Sequence, residues 1–184
     1  KVLSWVALDR AAKIARLFKM EDYGKRWEAL AAIIKADILE HGWNQKMQCF
    51  TQAYNGTNYD AANLLIEHYG FVGASDPCYI STVKQTYEHL CENGVMYRYR
   101  NEDDFGVPKS SFIVCTFWMI KSLYRIGEKT LAKDMFDNIL THGNHLGLFS
   151  EDLDIASKRL LGNFPQAYSH LALIDVALTL NGIE

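Results

Sequence analysis

The spacing of the predicted helices constrains this chain more than any single motif does. Apolar residues recur at the 3.6-residue period of an amphipathic helix in seven stretches, and glycines or capping residues mark several of their ends. The connections between these stretches alternate between short and long. Short turns join antiparallel helix pairs, so the long connections return on one face of the molecule. The predicted helices cover residues 2–19, 23–41, 58–69, 77–92, 109–126, 129–142 and 164–181, and the long connections cover residues 42–57, 93–108 and 143–163.

Helical hairpins of this kind predict an all-α fold with an inner and an outer layer. The odd-numbered helices are the more apolar ones: the fifth is almost continuously apolar from Phe112 to Ile120, and the seventh carries apolar residues around its circumference. Helices that are apolar on every side are buried, whereas helices with apolar residues on one side only lie on a surface. The layers curve into a toroid or stack into a solenoid, and the absence of a fixed repeat disfavours the solenoid. An extended segment near residues 47–54 predicts a small strand before a turn at Asn55 and Gly56.

Composition and charge exclude several classes of function. The chain has 184 residues, enough for one domain with a substantial core, and 49% of them are hydrophobic. Its 19 basic and 22 acidic residues give a net charge of −3 without a run of either sign. This pattern argues against a nucleic-acid or membrane partner and favours a neutral or small ligand. No stretch reaches the ~20 apolar residues of a membrane span, and nothing resembles a signal peptide.

The cysteines predict reduced thiols and a cytoplasmic location. Cys49, Cys78, Cys91 and Cys115 lack the CxxC spacing of metal and redox sites, and three of them fall in predicted helices. The chain begins at Lys1 instead of a methionine, inside a helical pattern. We therefore expect it to be a piece of a longer protein.

Polar motifs in the long connections are similar to those of a known enzyme family. They lie at residues 4–11, 50–54 with 60–65, 97–99, 112–118, and 147–152 with 162–170. In this order and at these separations they resemble the C-terminal half of the family 15 glycoside hydrolases, the glucoamylase and bacterial trehalase-like group. The resemblance implies that residues 1–184 are the C-terminal portion of an (α/α)6 barrel, with about seven helices in inner and outer hairpins and the N-terminal half absent.

The resemblance also implies a reaction and the residues that carry it out. Enzymes of this family hydrolyse a terminal α-glucosidic bond with inversion, using an acid that protonates the departing oxygen and a base ~6.5–9.5 Å away that activates water. The base corresponds to Glu151. The acid would precede Lys1 and is therefore missing from the chain. The implied substrate-binding residues are Gln52, Arg98, Tyr99 and His170.

Several of these residues have alternative roles that the sequence leaves open. Asp152 follows Glu151 where the family often has Glu or Gln, so the base could be one residue further along. Arg98 could form a cation–π pair with a neighbouring tyrosine on a loop surface. His170 could be a hydrogen-bonded core histidine, and Asp60 could cap the third helix.

Neither a metal nor a cofactor is expected. His142 and His145 are three residues apart at a helix end, which is a weak metal-binding pattern. Asp152 and Asp154 form an Asp-x-Asp pair that in a surface loop is usually hydrated. Hydrolysis by two carboxyl groups needs no metal.

Two partners are expected, a carbohydrate substrate and the missing N-terminal half of the barrel. The substrate would be a maltooligosaccharide, a related α-glucan or trehalose. Residues 106–111 differ from the glycine-rich stretch that many relatives have at this place, so the sequence leaves the linkage of the substrate open. An incomplete ring leaves apolar helix flanks uncovered, so the isolated chain is expected to form a homodimer or to aggregate. Two alternatives remain, a helical scaffold for a protein partner and a catalytically inactive relative.

Overall fold

The predicted all-α fold is confirmed by a computed structural model that describes residues 1–183. A 3₁₀ helix, η1, spans Ala61–Leu64 and leads directly into α3. No helix within residues 1–183 is long and apolar enough to cross a membrane. The α-helices of this range are α1 (Val2–Leu17), α2 (Glu21–His41), α3 (Leu65–His68), α4 (Pro77–Leu90), α5 (Ile113–Arg125), α6 (Lys129–Leu140) and α7 (Ala167–Leu180).

Short antiparallel strands occupy the long connections, where only one small strand was predicted. That strand is β2, which pairs with β1. The others were missed because a two-residue strand is too short to show a hydrophobic period. The strands are β1 (Trp43–Asn44) with β2 (Cys49–Phe50), β3 (Cys91–Glu92) with β4 (Val95–Met96), and a three-stranded sheet in the order β5 (Ser111–Phe112), β6 (Asp152–Leu153) and β7 (Leu160–Leu161).

The third predicted helix is shorter than expected. The chain is still extended at Asp60, with φ −143° and ψ 126°, and its carboxylate accepts a hydrogen bond from the Ala62 amide at 2.8 Å. The capping role of Asp60 is therefore confirmed. The helix that follows consists of η1 and a single α-helical turn, and it gives way to Gly70 in the left-handed region, with φ +74°.

Two other helices begin later than predicted because their first residues are used in strands or loops. Ser111 and Phe112 pair with β6, so α5 begins at Ile113. Gln166 donates its backbone N–H to the carbonyl of Phe149 at 3.0 Å, and α7 begins only at the next residue. In both cases tertiary hydrogen bonds override the local helical pattern.

Helix α5 lies at the centre of the core, as predicted for the fifth helix. Nine of its 13 residues are buried. Helices α4, α6, α7 and η1 contact it. A buried tyrosine of α4, Tyr79, links these elements, because its hydroxyl lies 3.0 Å from both the Leu64 carbonyl and the Ser122 hydroxyl.

Helix α7 was predicted to be buried on every side, and that prediction is wrong. It packs against α5, and Ser169, Val176 and Thr179 are its buried residues. Its other side, here called the α7 apolar face, is 43–65% exposed, although Tyr168 at its start packs edge-on against Trp118 of α5 with ring centroids 5.9 Å apart. The residues of this face are Tyr168, Leu171, Ile174 and Leu178.

Helix α1 also presents apolar side chains to solvent. Leu3, Ile14 and Leu17 are between 54% and 82% exposed, although α1 packs closely against α2. Helices α1 and α7 therefore both carry uncovered apolar surface.

The cysteines are free thiols, in agreement with the sequence. Burial raises the pKa of Cys49 to about 11. Cys115 is completely buried in α5.

The α7 apolar face predicts self-association of the isolated chain. Patches above a few hundred Å² tend to be covered by association, so light scattering should detect dimers or larger species that bind an apolar dye. Replacing Leu171 and Ile174 by glutamate should lower dye binding roughly two-fold or more. Leu140→Glu, on α6, is the control because Leu140 is 45% exposed but lies outside this face. A native chain that stays monomeric and binds no dye would contradict the prediction.

Candidate active site

The Glu151 segment is held in a small sheet that connects α5 and α7. Glu151 directly precedes β6 and continues its pairing with both neighbouring strands. Its N–H donates to the carbonyl of Asn163 at 2.9 Å, and its carbonyl accepts from the N–H of Ile113 at 3.0 Å. The backbone at Glu151 is therefore fixed from two sides.

One oxygen of the Glu151 carboxylate is also fixed. Asn163 donates to Oε2 from Nδ2 at 2.8 Å and from its backbone N–H at 3.3 Å. Within residues 1–183, no group donates to Oε1. The carboxylate is thus oriented through one oxygen while the other is left for a different partner.

Gly162 allows this close arrangement. It lies opposite Glu151 across the strand pair, with φ +74°, a conformation that favours glycine. A Cβ atom at this position would lie 2.9 Å from Oε2 and 3.0 Å from the Cβ of Glu151. Any larger residue must therefore displace the Glu151 side chain.

Asp152 has a different environment from Glu151. Side chains alternate between the two faces of a strand, so the two carboxylates lie on opposite sides of β6. Asp152 accepts a hydrogen bond from the Ser110 hydroxyl at 2.7 Å. Burial raises the pKa of Asp152, and the charge of Glu151 raises it further, whereas the bond from Ser110 lowers it.

A second polar group joins the first two long connections. Its centre is Asp60, which is only 7% exposed. Besides capping η1, the Asp60 carboxylate accepts a hydrogen bond from Nε2 of Gln52 at 3.2 Å and lies 3.9 Å from Nε of Arg98. The Arg98 carbonyl in turn accepts the Ala61 N–H at 2.8 Å. The structure thus brings Gln52 and Arg98 together through a carboxylate that the sequence identified mainly as a cap.

Arg98 and Tyr99 form a stacked pair. The guanidinium carbon of Arg98 lies 5.6 Å from the centroid of the Tyr99 ring, and the Tyr99 hydroxyl donates to Asp103 at 2.6 Å. That hydrogen bond raises the pKa of Tyr99. The Arg98 side chain remains 51% exposed, so its guanidinium has donors that neither Tyr99 nor Asp60 occupies.

Charges from the three long connections all act on one buried thiol. Burial raises the pKa of Cys115 well above its usual value; Asp60 and Asp152 raise it further, and Arg98 lowers it. Hydrogen bonds join the same region: the Met96 N–H donates to the hydroxyl of Thr116, in the first turn of α5, at 2.9 Å. Tyr168 of α7 is part of the same group: burial raises its pKa, and Cys115 and Arg98 modify it in opposite directions. The long connections therefore meet at one end of the molecule, as predicted.

A cavity of about 580 Å³ opens beside this group. It lies between the start of α1 and the first long connection, and Gln52, Tyr54 and Tyr69 are among its lining residues. This volume falls in the range of small-molecule sites. Glu151 does not line it.

His170 is hydrogen-bonded through both ring nitrogens to backbone groups. Nδ1 donates to the carbonyl of Gln166 at 2.7 Å, and Nε2 accepts the N–H of Phe149 at 3.3 Å. The geometry corresponds to the hydrogen-bonded histidine that the sequence left open as an alternative.

Two residue pairs were considered as metal ligands, His142 with His145 and Asp152 with Asp154. In each pair the two side chains have different surroundings. His145 is exposed and His142 is half-buried, and burial lowers the pKa of His142. Asp154 turns into its own loop, where it accepts hydrogen bonds from Ser157. In residues 1–183, no group of three or more His, Cys, Asp or Glu side chains is arranged to hold a metal ion.

Comparison with known sequences identifies the family. Residues 1–129 and 126–178 match the family described as "Glycosyl hydrolases family 15". The chain belongs to this family. The resemblance stated from the five motifs is thereby confirmed.

Relatives of the family include enzymes named trehalase. The chain is 41% identical to the trehalase of Mycobacterium tuberculosis over 97% of its own length and 26% of the relative. It is 36% identical to the trehalase of Thermoplasma volcanium over 96% of its own length and 29% of the relative. The chain therefore spans less than a third of the length of these two relatives.

Solved structures support the partial helical barrel. A structure titled "Glycosidase E335A in complex with glucose" superposes with a TM-score of 0.81 at 15% sequence identity. The match covers 98% of this chain and 50% of that glycosidase. At this identity the likeness concerns the fold alone.

Three residues of the site were not assigned such roles from the sequence. Asn163 orients Glu151, Asp60 links Gln52 to Arg98, and Tyr168 lies near Arg98. Asn163 and Tyr168 belong to the motif at residues 162–170, and no spacing rule distinguishes them from their neighbours. Their roles depend on strand register and on the start of α7.

Gly162→Ala should lower catalysis by displacing the Glu151 carboxylate. In the full-length family 15 enzyme we expect kcat to fall roughly 10- to 100-fold, because a misplacement near 1 Å has this effect. Gly147→Ala is the matched control, since Gly147 also has φ +74° but nothing lies within 4 Å of the added Cβ. Both variants should lose about 1 kcal/mol of folding free energy from backbone strain, measured by denaturant unfolding, and only Gly162→Ala should lose kcat. Equal kcat values in the two variants would contradict this account.

Proposed function

We propose that the family 15 enzyme containing this chain hydrolyses an α-glucosidic bond with inversion and that Glu151 is its general base. The observation that carries the proposal is the Glu151 carboxylate, anchored through Oε2 to Asn163 with Oε1 unoccupied by any group of residues 1–183. Trehalose is the favoured substrate because the relatives that match at 36–41% identity are named trehalases. Maltooligosaccharides and related α-glucans are the second choice.

The proposed reaction needs two groups on opposite sides of the sugar. Glu151 takes a proton from water, whose oxygen attacks the anomeric carbon while the bond to the departing oxygen breaks. An acid protonates that departing oxygen. We assign the acid to a segment outside this chain, which would precede Lys1, together with the remaining half of the barrel.

Substrate binding is assigned to the group around Asp60. Arg98 has free guanidinium donors for sugar hydroxyls, and the buried Asp60 carboxylate holds it beside Gln52. A planar guanidinium fixed in this way binds two hydroxyl oxygens at once. Tyr99 stacks on Arg98 and restricts its rotation. In this proposal the pair of Arg98 and Asp60 orients the sugar, and Glu151 activates the water.

Glu151→Gln in the full-length enzyme should abolish most turnover while leaving binding intact. The amide keeps the shape of the side chain but cannot accept the proton from water, so kcat should fall by roughly 10²–10⁴-fold with little change in KM. Asp152→Asn is the control and should cost much less. If Asp152→Asn is inactive and Glu151→Gln is active, the base is Asp152. If both variants stay active, the hydrolase assignment of this loop fails. If the native enzyme itself has no hydrolase activity, the protein is an inactive relative.

Azide tests the direction of attack. In Glu151→Gln or Glu151→Ala, azide needs no base and should partly restore cleavage. The product from an α-linked substrate should be a β-glucosyl azide, because azide would enter from the side that water uses. An α-glucosyl azide would contradict inversion.

The stereochemistry of the native products gives an independent readout. Inverting cleavage of trehalose releases one β-glucose from the attacked ring and one α-glucose from the departing ring. Proton NMR recorded early, before mutarotation, should therefore show the two anomers of glucose in about equal amounts. Two α-glucose molecules would indicate retention.

The isolated 184-residue chain should hydrolyse neither trehalose nor maltooligosaccharides. Without its acid it loses leaving-group protonation, which contributes roughly 10²–10⁴-fold. The measurement is the rate of glucose release by the purified chain, compared with the rate of the full-length enzyme. Turnover near that of the full-length enzyme would contradict the assignment of the acid outside this chain.

A further inference from the structure

The bonding of His170 differs from that of His41 and His89, two other helical histidines. In His41, His89 and His170 alike, Nδ1 lies 2.7–3.0 Å from the carbonyl four residues earlier in its own helix. This local bond is therefore ordinary. Nε2 of His89 lies 3.4 Å from the Tyr59 hydroxyl, a side-chain group. Nε2 of His170, by contrast, accepts a backbone N–H from a different element, that of Phe149 at 3.3 Å.

The two bonds of His170 fix its tautomer. A carbonyl accepts only from a protonated Nδ1, and the Phe149 N–H donates only to an unprotonated Nε2. No ring N–H remains for a sugar hydroxyl. With both ring nitrogens engaged in this way, His170 has no donor left for substrate.

The segment that His170 holds leads directly to Glu151. Phe149 is 1% exposed, and its carbonyl accepts the backbone N–H of Gln166 at 3.0 Å. At the next residue, the Ser150 carbonyl accepts the hydroxyl of Ser169 at 2.9 Å. The first turn of α7 thus binds both residues that precede Glu151.

We propose that His170 is a positioning residue for the general base rather than a ligand of the sugar. The inference rests on the proposed function of Glu151. The ring of His170 fixes the Phe149 N–H, the backbone of residues 149–150 is held against α7, and the side chain of Glu151 keeps its direction toward the anomeric carbon. Asn163 fixes the tip of the carboxylate, and His170 fixes the start of the strand that carries it.

The test compares two substitutions in the full-length enzyme. His170→Phe keeps a ring next to Phe149 but removes the acceptor, so kcat should fall roughly 10- to 100-fold with KM nearly unchanged. His170→Gln places an amide oxygen near the position of Nε2 and should restore most of kcat. His89→Phe is the matched control, because His89 makes the same bond within its helix but holds no backbone of the site. A rise in KM without a loss of kcat in His170→Phe would identify a sugar ligand and overturn the proposal.

A double-mutant cycle separates positioning from general damage. In the Glu151→Ala background, His170→Phe should cause no further loss, because there is no base left to position. An equal loss in both backgrounds would overturn the proposal. If His170→Phe is unfolded at the assay temperature, the smaller His170→Leu, which also removes the acceptor, takes its place: a loss confined to kcat supports the proposal, and a native kcat overturns it. Native activity of Glu151→Ala alone would instead refute the proposed function, whereas an inactive Glu151→Ala with a native His170→Phe refutes only this inference.

Discussion

The burial of α5 is the constraint on which the other elements depend. A helix with side chains such as Phe117 and Ile120 on its core positions is stable in water only when neighbours cover it, and each such side chain contributes about 1.5–3 kcal/mol when buried. Helices α4, α6 and α7 and the 3₁₀ helix η1 all pack against α5. The start of α5 is consequently a fixed point, to which β5 attaches the strand that carries Glu151.

Much of the helical architecture could be predicted because it follows from periodicity. The stripes of α2 and α4 and the apolar sequence of α5 are local properties that a sequence displays directly. Strands β5–β7 could not be predicted, since each has only two residues, and β5 pairs with β6 from a distant part of the chain. The exposure of α7 could not be predicted either: its sequence shows that it is apolar on every side, but only the tertiary structure shows which side is covered.

The site was predicted to a similar extent. The motifs pointed to Glu151, Arg98 and Gln52 because their residue types and order are visible in the chain, and their roles stay a prediction. They did not show that Asp60 connects Gln52 to Arg98, since a capping aspartate looks the same whether or not a guanidinium lies beside it. Nor did they separate the environments of the neighbouring carboxylates Glu151 and Asp152, which depend on the face of β6 that each occupies.

The single-oxygen anchor of Glu151 has a consequence for how the carboxylate can move. A free carboxylate presents two equivalent oxygens and exchanges them by rotation about its last side-chain bond. Here Asn163 holds Oε2 by two hydrogen bonds, so exchange requires both to break at once. The two oxygens have thereby lost their equivalence, and in the proposed reaction a water molecule would always meet Oε1. The place from which water is activated would then be set when the chain folds, before any sugar arrives.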